Sequence, residues 1–212
     1  MHVKDEFRNI VTELTEKFTI PPIEDIFFPP FFQGGQPKDC EFMAIRLQGG
    51  AAGISYVLVP DEKMEAYTAL KPVDFIGKDP GEFAHRFGSE DPVKAILGLA
   101  AINAICQHVM GEIGFTVDSA TDSLGLLSVS AGDRVGMVGL FFPLVQTIEE
   151  AGAKLVVIEK NEQLIEKFPH LPVTLDATEL SRCNKILCTG TTLLNNSLDE
   201  VLTHCSPEAL YR

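Results

Sequence analysis

Apolar residues recur along this chain with two different periods, and the change of period divides it in two. Over residues 3–18, Val3, Phe7, Ile10, Val11, Leu14 and Phe18 fall on one helical face, which predicts an amphipathic helix. Pro21-Pro22 bars its continuation, because proline cannot extend the hydrogen-bond ladder. The stretch 23–32 is rich in Phe and Pro and predicts a short strand before Pro29. Phe27, Phe28, Phe31 and Phe32 are expected as core or interdomain filling rather than as an aromatic binding platform. A turn follows at Gln33 to Pro37. Residues 41–47 and 53–59 then alternate around Gln48-Gly49-Gly50, the pattern of an antiparallel hairpin. A short helix is expected within 61–70. Asp91 and Pro92 open the strongest helix of the first half, over 93–110, as N-cap and first helical residue. Its Gly98, Ala100, Ala101 and Ala104 permit close packing. Asn103 interrupts its apolar middle. By itself that residue reads first as a satisfied buried amide and second as a group aimed at a cleft.

Composition turns polar and glycine-bearing over 111–132, which places a domain boundary there: an α+β domain over 1–115 and an α/β domain over 116–212. In the second, an apolar strand over 134–140 leads to a helix over 144–151 and a strand over 154–158. Such a βαβ unit requires parallel strands. A helix over 162–168, a short strand over 173–175, a helical link over 179–182, a strand over 185–188 and a helix over 193–202 complete the order. The fold class is therefore α/β with a doubly wound parallel sheet.

Bulk properties narrow the partners. The 212 residues are 45% hydrophobic, enough for a packed core, and carry a net charge of -13. No basic patch is visible, so neither nucleic acid nor an anionic membrane is an expected partner. No run of about 18 consecutive apolar residues occurs, so no spanning helix is predicted. The start, MHVKDEFRN, lacks the apolar core of a signal peptide. The five cysteines, Cys40, Cys106, Cys183, Cys188 and Cys205, form an odd set without CxxC spacing and read as reduced thiols of a cytoplasmic protein.

Chemistry is expected where the parallel strands break. Gly136-Met137-Val138-Gly139 falls short of a dinucleotide fingerprint, yet it ends a strand and precedes a helix. Glu159 lies 20 positions beyond Gly139, at the end of the next strand, where an acid commonly accepts hydrogen bonds from ribose hydroxyls. Its other reading is a solvated strand-end acid. Phe141-Phe142-Pro143 stands where small glycines would admit a pyrophosphate, which counts against ordinary NAD binding. Thr189-Gly190-Thr191-Thr192 is the second break. Its backbone N–H groups and hydroxyls suit an anion, or equally an N-capping turn. Asn195 and Asn196 follow in the first helical turn. Asp176 ends a third strand and reads equally as the cap of the next turn. Cysteine and histidine spacing yields no tetrahedral zinc set.

Several motifs together, GLAAINAI (98–105), RVGMVGLFFPLV (134–145), VVIEKN (156–161) and CTGTTLLNNSLDEVL (188–202), resemble the putative heavy-metal chelation family, over most of the chain. That resemblance implies an N-terminal domain like that of enolase, a Rossmann-like C-terminal domain, and a site in the cleft between them. It implies Glu159 and Asn103 as catalytic or contacting groups, and Gly139, Phe142, Thr189, Gly190, Thr191, Thr192 and Asn195 as ligand-binding residues. Family members continue past the position of Arg212 with another strand. A sheet without it would expose an edge and favour a homodimer. The function so implied is small-molecule binding, with a role in heavy-metal chelation or the handling of a metal-chelating metabolite. The bound group would be a metal ion or a nucleotide-like ligand. A transferase or lyase on a small anionic or nucleotide-like metabolite, with Glu159 as base, and a non-catalytic scaffold subunit are the alternatives.

Overall fold

The structure, a computed structural model, describes residues 2–30, 41–116, 124, 127–160 and 162–211. Phe31, Phe32, the turn at 33–37, Cys40 and most of the connector over 117–126 lie outside the described residues. The chain forms two compact units, Met1–Val117 with Leu193–Asn196, and Asp118–Thr192 with Ser197–Arg212.

The first unit packs helices on one face of an antiparallel sheet. Helix α1 spans Val3–Lys17, and strands β1 (Ile23–Phe27), β2 (Phe42–Leu47) and β3 (Ala52–Tyr56) pair in the order β1-β2-β3. Alternation sends Met43, Ile45 and Leu47 into the core, and a register shift between Ile23 and Asp25 lets β1 bury both Ile23 and Ile26; all five are at most 4% exposed. Phe27 departs from its expected role as filling: it is the residue after Ile26 in the strand, points to the opposite face and is 50% exposed. Phe28 does pack inward, edge-on to Tyr67 and Phe75.

The short helix α2 (Met64–Thr68) follows a 3-10 turn at Asp61–Lys63. A second, α3 (Pro80–Ala84), is capped by Asp79, whose carboxylate accepts from Gly81 N at 2.8 Å. The long helix α4 (Pro92–Glu112) is capped by Asp91 as expected, Val93 N donating to Oδ1 at 3.1 Å. Length and hydropathy would let α4 cross a bilayer, but 67% of that window is buried in the protein, as for the core helix of a globular unit. Gly53 is what brings it onto β3. A Cβ at that position would overlap the backbone of Ala100 and Ala104, so only glycine permits this approach.

The second unit is a five-stranded, wholly parallel sheet. Its strands are β4 (Arg134–Val138), β5 (Lys154–Ile158), β6 (Val173–Thr174), β7 (Lys185–Cys188) and β8 (Leu210–Tyr211), in the order β6-β5-β4-β7-β8. Helices α5 (Phe142–Glu150), α6 (Glu162–Lys167), α7 (Thr191–Leu194) and α8 (Leu198–His204) connect them, with a 3-10 segment at Ala177–Arg182. Successive strand residues feed two cores. Val135, Met137, Val157 and Leu187 meet α5 through Val145 and Ile148 on one face. Val138, Val156, Ile158 and Ile186 meet Leu180 and Val201 on the other. Burial on both faces explains the uninterrupted apolar runs of these strands.

One expectation for this region is corrected. The single helix over 193–202 is two short helices, because Asn196 takes a left-handed φ of 56° and breaks the ladder. The edge of β7 is paired with β8, a strand of two residues that sequence periodicity does not reveal.

Candidate functional site

Strand order decides where a ligand could sit. From β4 the chain runs outward through β5 to β6, then returns to the other side of β4 for β7 and β8. Direction reverses between β4 and β7, and the crevice beyond the carboxyl ends of two such strands is the usual ligand position of an open parallel sheet. The turns after β4 and β7 are those that carry Gly139 and Thr189-Gly190.

These turns touch. Gly139 has φ of 82°, and a Cβ there would lie 3.0 Å from Thr189 Cγ2. The backbone conformation favours glycine, and a side chain there would push Thr189 aside by a few tenths of an ångström. Gly139 N donates to Ile158 O at 2.9 Å and Thr189 N to Val138 O at 3.0 Å, which continue the ladders one residue past the strands. Glu159 follows β5, half-buried. Its Oε2 accepts from Leu140 N at 3.3 Å and its Oε1 from Lys160 N at 2.8 Å, so its carboxylate reaches the turn after β4. Phe141 N meets Met137 Sδ at 3.3 Å.

The second break folds onto itself. Thr189 Oγ1 accepts from Thr191 N at 3.3 Å and lies 3.1 Å from Thr191 Oγ1. Thr192 Oγ1 donates to Thr189 O at 2.7 Å, and Thr192 N donates to the same oxygen at 3.2 Å. The hydroxyls of this segment cap its own turn, which is the bland one of the two readings offered by the sequence. Gly190 is exposed between them. Asp176 is likewise a cap, accepting from Thr178 N and Oγ1 at 3.0 and 2.6 Å. Cys188 Sγ lies 3.4 Å from Thr192 Oγ1, and burial pushes its thiol pKa up, so it is not an activated thiolate.

Phe142 opens α5, 54% exposed, with its ring 5.3 Å from that of Phe168. His170 stands edge-on to Phe168 at 6.2 Å, and the Lys167 ammonium lies 5.4 Å from the same ring centre. Sequence reasoning singled out Phe142 but not Phe168 or His170, which no motif marks.

The structure thus brings Gly139, Glu159, Thr189, Thr191 and Thr192 to one rim of one sheet, with Phe142 at the start of the adjoining helix. Asn103 belongs to the first unit, and it is exposed rather than buried. Its Nδ2 donates to Ile54 O of β3 at 2.8 Å, so the amide serves the sheet on which α4 packs. Asn195 is grouped with the first unit and is exposed. Among the described residues no group of three or more His, Cys, Asp and Glu side chains is placed to hold a metal ion.

Comparison with known proteins agrees with this architecture. Residues 122–211 match the family DUF364 and residues 40–106 the family DUF4213, both described as "Putative heavy-metal chelation". An uncharacterized protein of Methanocaldococcus jannaschii is 27% identical over 205 residues, 94% of this chain and 71% of its own. Two crystal structures of DUF364 proteins of unknown function share the fold, from Pyrococcus horikoshii and Desulfitobacterium hafniense. Each has a TM-score of 0.63 at 18% identity and covers 97% of this chain, against 75% and 76% of their own. The two matched regions together place the chain in the putative heavy-metal chelation family.

Proposed function

We propose that the chain binds a small molecule at the carboxyl rim of its parallel sheet, between the turns that follow β4 and β7. The observation that carries this reading is the coincidence of three features at the reversal point: the left-handed glycine turn at Gly139, its close approach to Thr189, and the Glu159 carboxylate at the end of the neighbouring strand. Glu159 offers acceptor oxygens to hydroxyl or amine donors of a ligand, and the exposed Phe142 ring, packed on the half-buried Phe168, lends it an apolar wall.

The family description fits a metabolite that itself chelates a heavy metal better than it fits a bare ion, because the described residues supply no clustered ligand set. The proposal concerns the second unit alone. Protein purified without added ligand should release, on denaturation, one compound identifiable by mass spectrometry and bearing hydroxyl or amine donors. Gly139→Val protein, shown to be folded by circular dichroism, should release none. Wild-type protein that yields no compound, or a variant that yields as much as wild type, would overturn the reading.

A further inference from the structure

In an open parallel sheet, the backbone N–H groups between the first strand and its helix ordinarily form the cradle for a phosphate. Here three residues, 139–141, separate β4 from α5, and each of their N–H groups is already used. Gly139 N donates to Ile158 O at 2.9 Å, Leu140 N to Glu159 Oε2 at 3.3 Å, and Phe141 N to Met137 Sδ at 3.3 Å. The first turn of α5 also holds Pro143, which has no N–H. The negative group at the start of this helix is therefore the protein's own carboxylate.

We infer that Glu159 occupies the anion position of the turn after β4, and that the ligand of this crevice presents hydroxyl or ammonium donors there rather than a phosphate. This rests on the proposed binding at the same rim and narrows its ligand class. Two further facts agree with it. A phosphate approaching Leu140 would meet a fixed negative charge in a chain of net charge -13. The N–H groups of Thr191 and Thr192, on the opposite side of the crevice, are committed to Thr189 as well. A donor-bearing ligand, by contrast, would share Glu159 Oε2, whose bond to Leu140 N at 3.3 Å is longer than that of Oε1 to Lys160 N at 2.8 Å.

The test uses inorganic phosphate and pyrophosphate, not the natural ligand, with the Leu140 backbone amide followed by NMR. In wild-type protein that amide should show no saturable shift with either anion. Glu159→Ala uncovers the N–H, and phosphate should then give a saturable shift at that amide. Glu159→Gln keeps an acceptor oxygen for Leu140 and should, like wild type, show no saturable shift. Saturable binding of either anion at Leu140 of wild-type protein would overturn the inference. So would an unchanged Glu159→Ala, if the remaining amides show it folded. Equal gains by both variants would mean that charge rather than occupancy excludes phosphate, and would overturn it too. A missing co-purified compound with these shifts as expected would remove the proposed function and leave the occupied anion position standing, so the two failures are distinguishable.

Discussion

The same strands end in two rims built on opposite principles. At the amino rim, Asp133 precedes β4, Asn184 precedes β7 and Lys185 begins it. The Asp133 carboxylate accepts from Lys185 Nζ, Asn184 Nδ2 and Ser130 N, each at 2.8 Å, and from Ser130 Oγ at 3.0 Å. Lys185 Nζ also donates to Ser128 O, and Asn184 Oδ1 accepts from Arg134 N. The side chains of Asp133 and Lys185 are 11% and 15% exposed, so this is a buried pair with its remaining hydrogen bonds filled. At the carboxyl rim the Glu159 carboxylate is half-buried and holds two backbone N–H groups. One carboxylate joins two strands. The other braces a turn. The contrast separates a carboxylate that joins strands from one that braces a turn.

The sharpest way to break this contrast is at the amino rim. Lys185→Met removes one member of the buried pair and leaves Asp133 uncompensated. A loss of about 3–5 kcal/mol in denaturant-unfolding free energy is expected, with no change in ligand binding while the variant remains folded. A loss near zero would mean that the pair does not hold the strands.

Acid acts on the same site. The Lys185 ammonium beside Asp133, with help from Asn184 and Ser130, holds the carboxyl well below the usual carboxylate range despite its burial. A depressed folded-state pKa contributes stability above the unfolded value of about 3.9, and that contribution is lost as pH falls below it. Urea unfolding from pH 7 to pH 2 should therefore show the gap between wild type and Asp133→Asn shrinking below about pH 4. A constant gap would refute the coupling.

At the carboxyl rim the effects should be smaller on stability and larger on binding. Gly139→Ala forces a side chain into a left-handed conformation against Thr189, which should cost about 1–3 kcal/mol and weaken retention of the bound compound. Smallest of all, Glu159→Gln preserves an acceptor for Leu140 and should change stability by no more than about 0.5 kcal/mol. A Glu159→Gln loss as large as that of Lys185→Met would erase the difference between the rims.

The parts that were legible in the sequence are those governed by local rules. Strands β4, β5 and β7 are apolar runs bounded by Gly or polar residues, and Asp91-Pro92 marks the start of α4 by cap chemistry alone. Gly139, Glu159 and Thr189 were legible because strand ends in a βαβ order carry position as well as identity. What escaped was tertiary. Leu210 and Tyr211 become β8 only because β7 offers a free edge. The helix expected over 193–202 gives way at Asn196, where a left-handed residue is tolerated. Asn103 looked like a buried amide because its neighbours are apolar, yet it sits at the surface and reaches the carbonyl of Ile54, 49 residues earlier. The commitment of Leu140 N to Glu159 has no letter in the sequence, since any residue but proline supplies that N–H.

The central claim is that a small molecule binds at the carboxyl rim and not elsewhere. It is tested most directly by titrating the compound released from wild-type protein back onto three ligand-stripped proteins in a calorimeter: wild type, Lys185→Met and Gly139→Val. Wild type and folded Lys185→Met are expected to bind it alike, and Gly139→Val to give no measurable heat. Equal binding by Gly139→Val, with its fold intact, would contradict the claim.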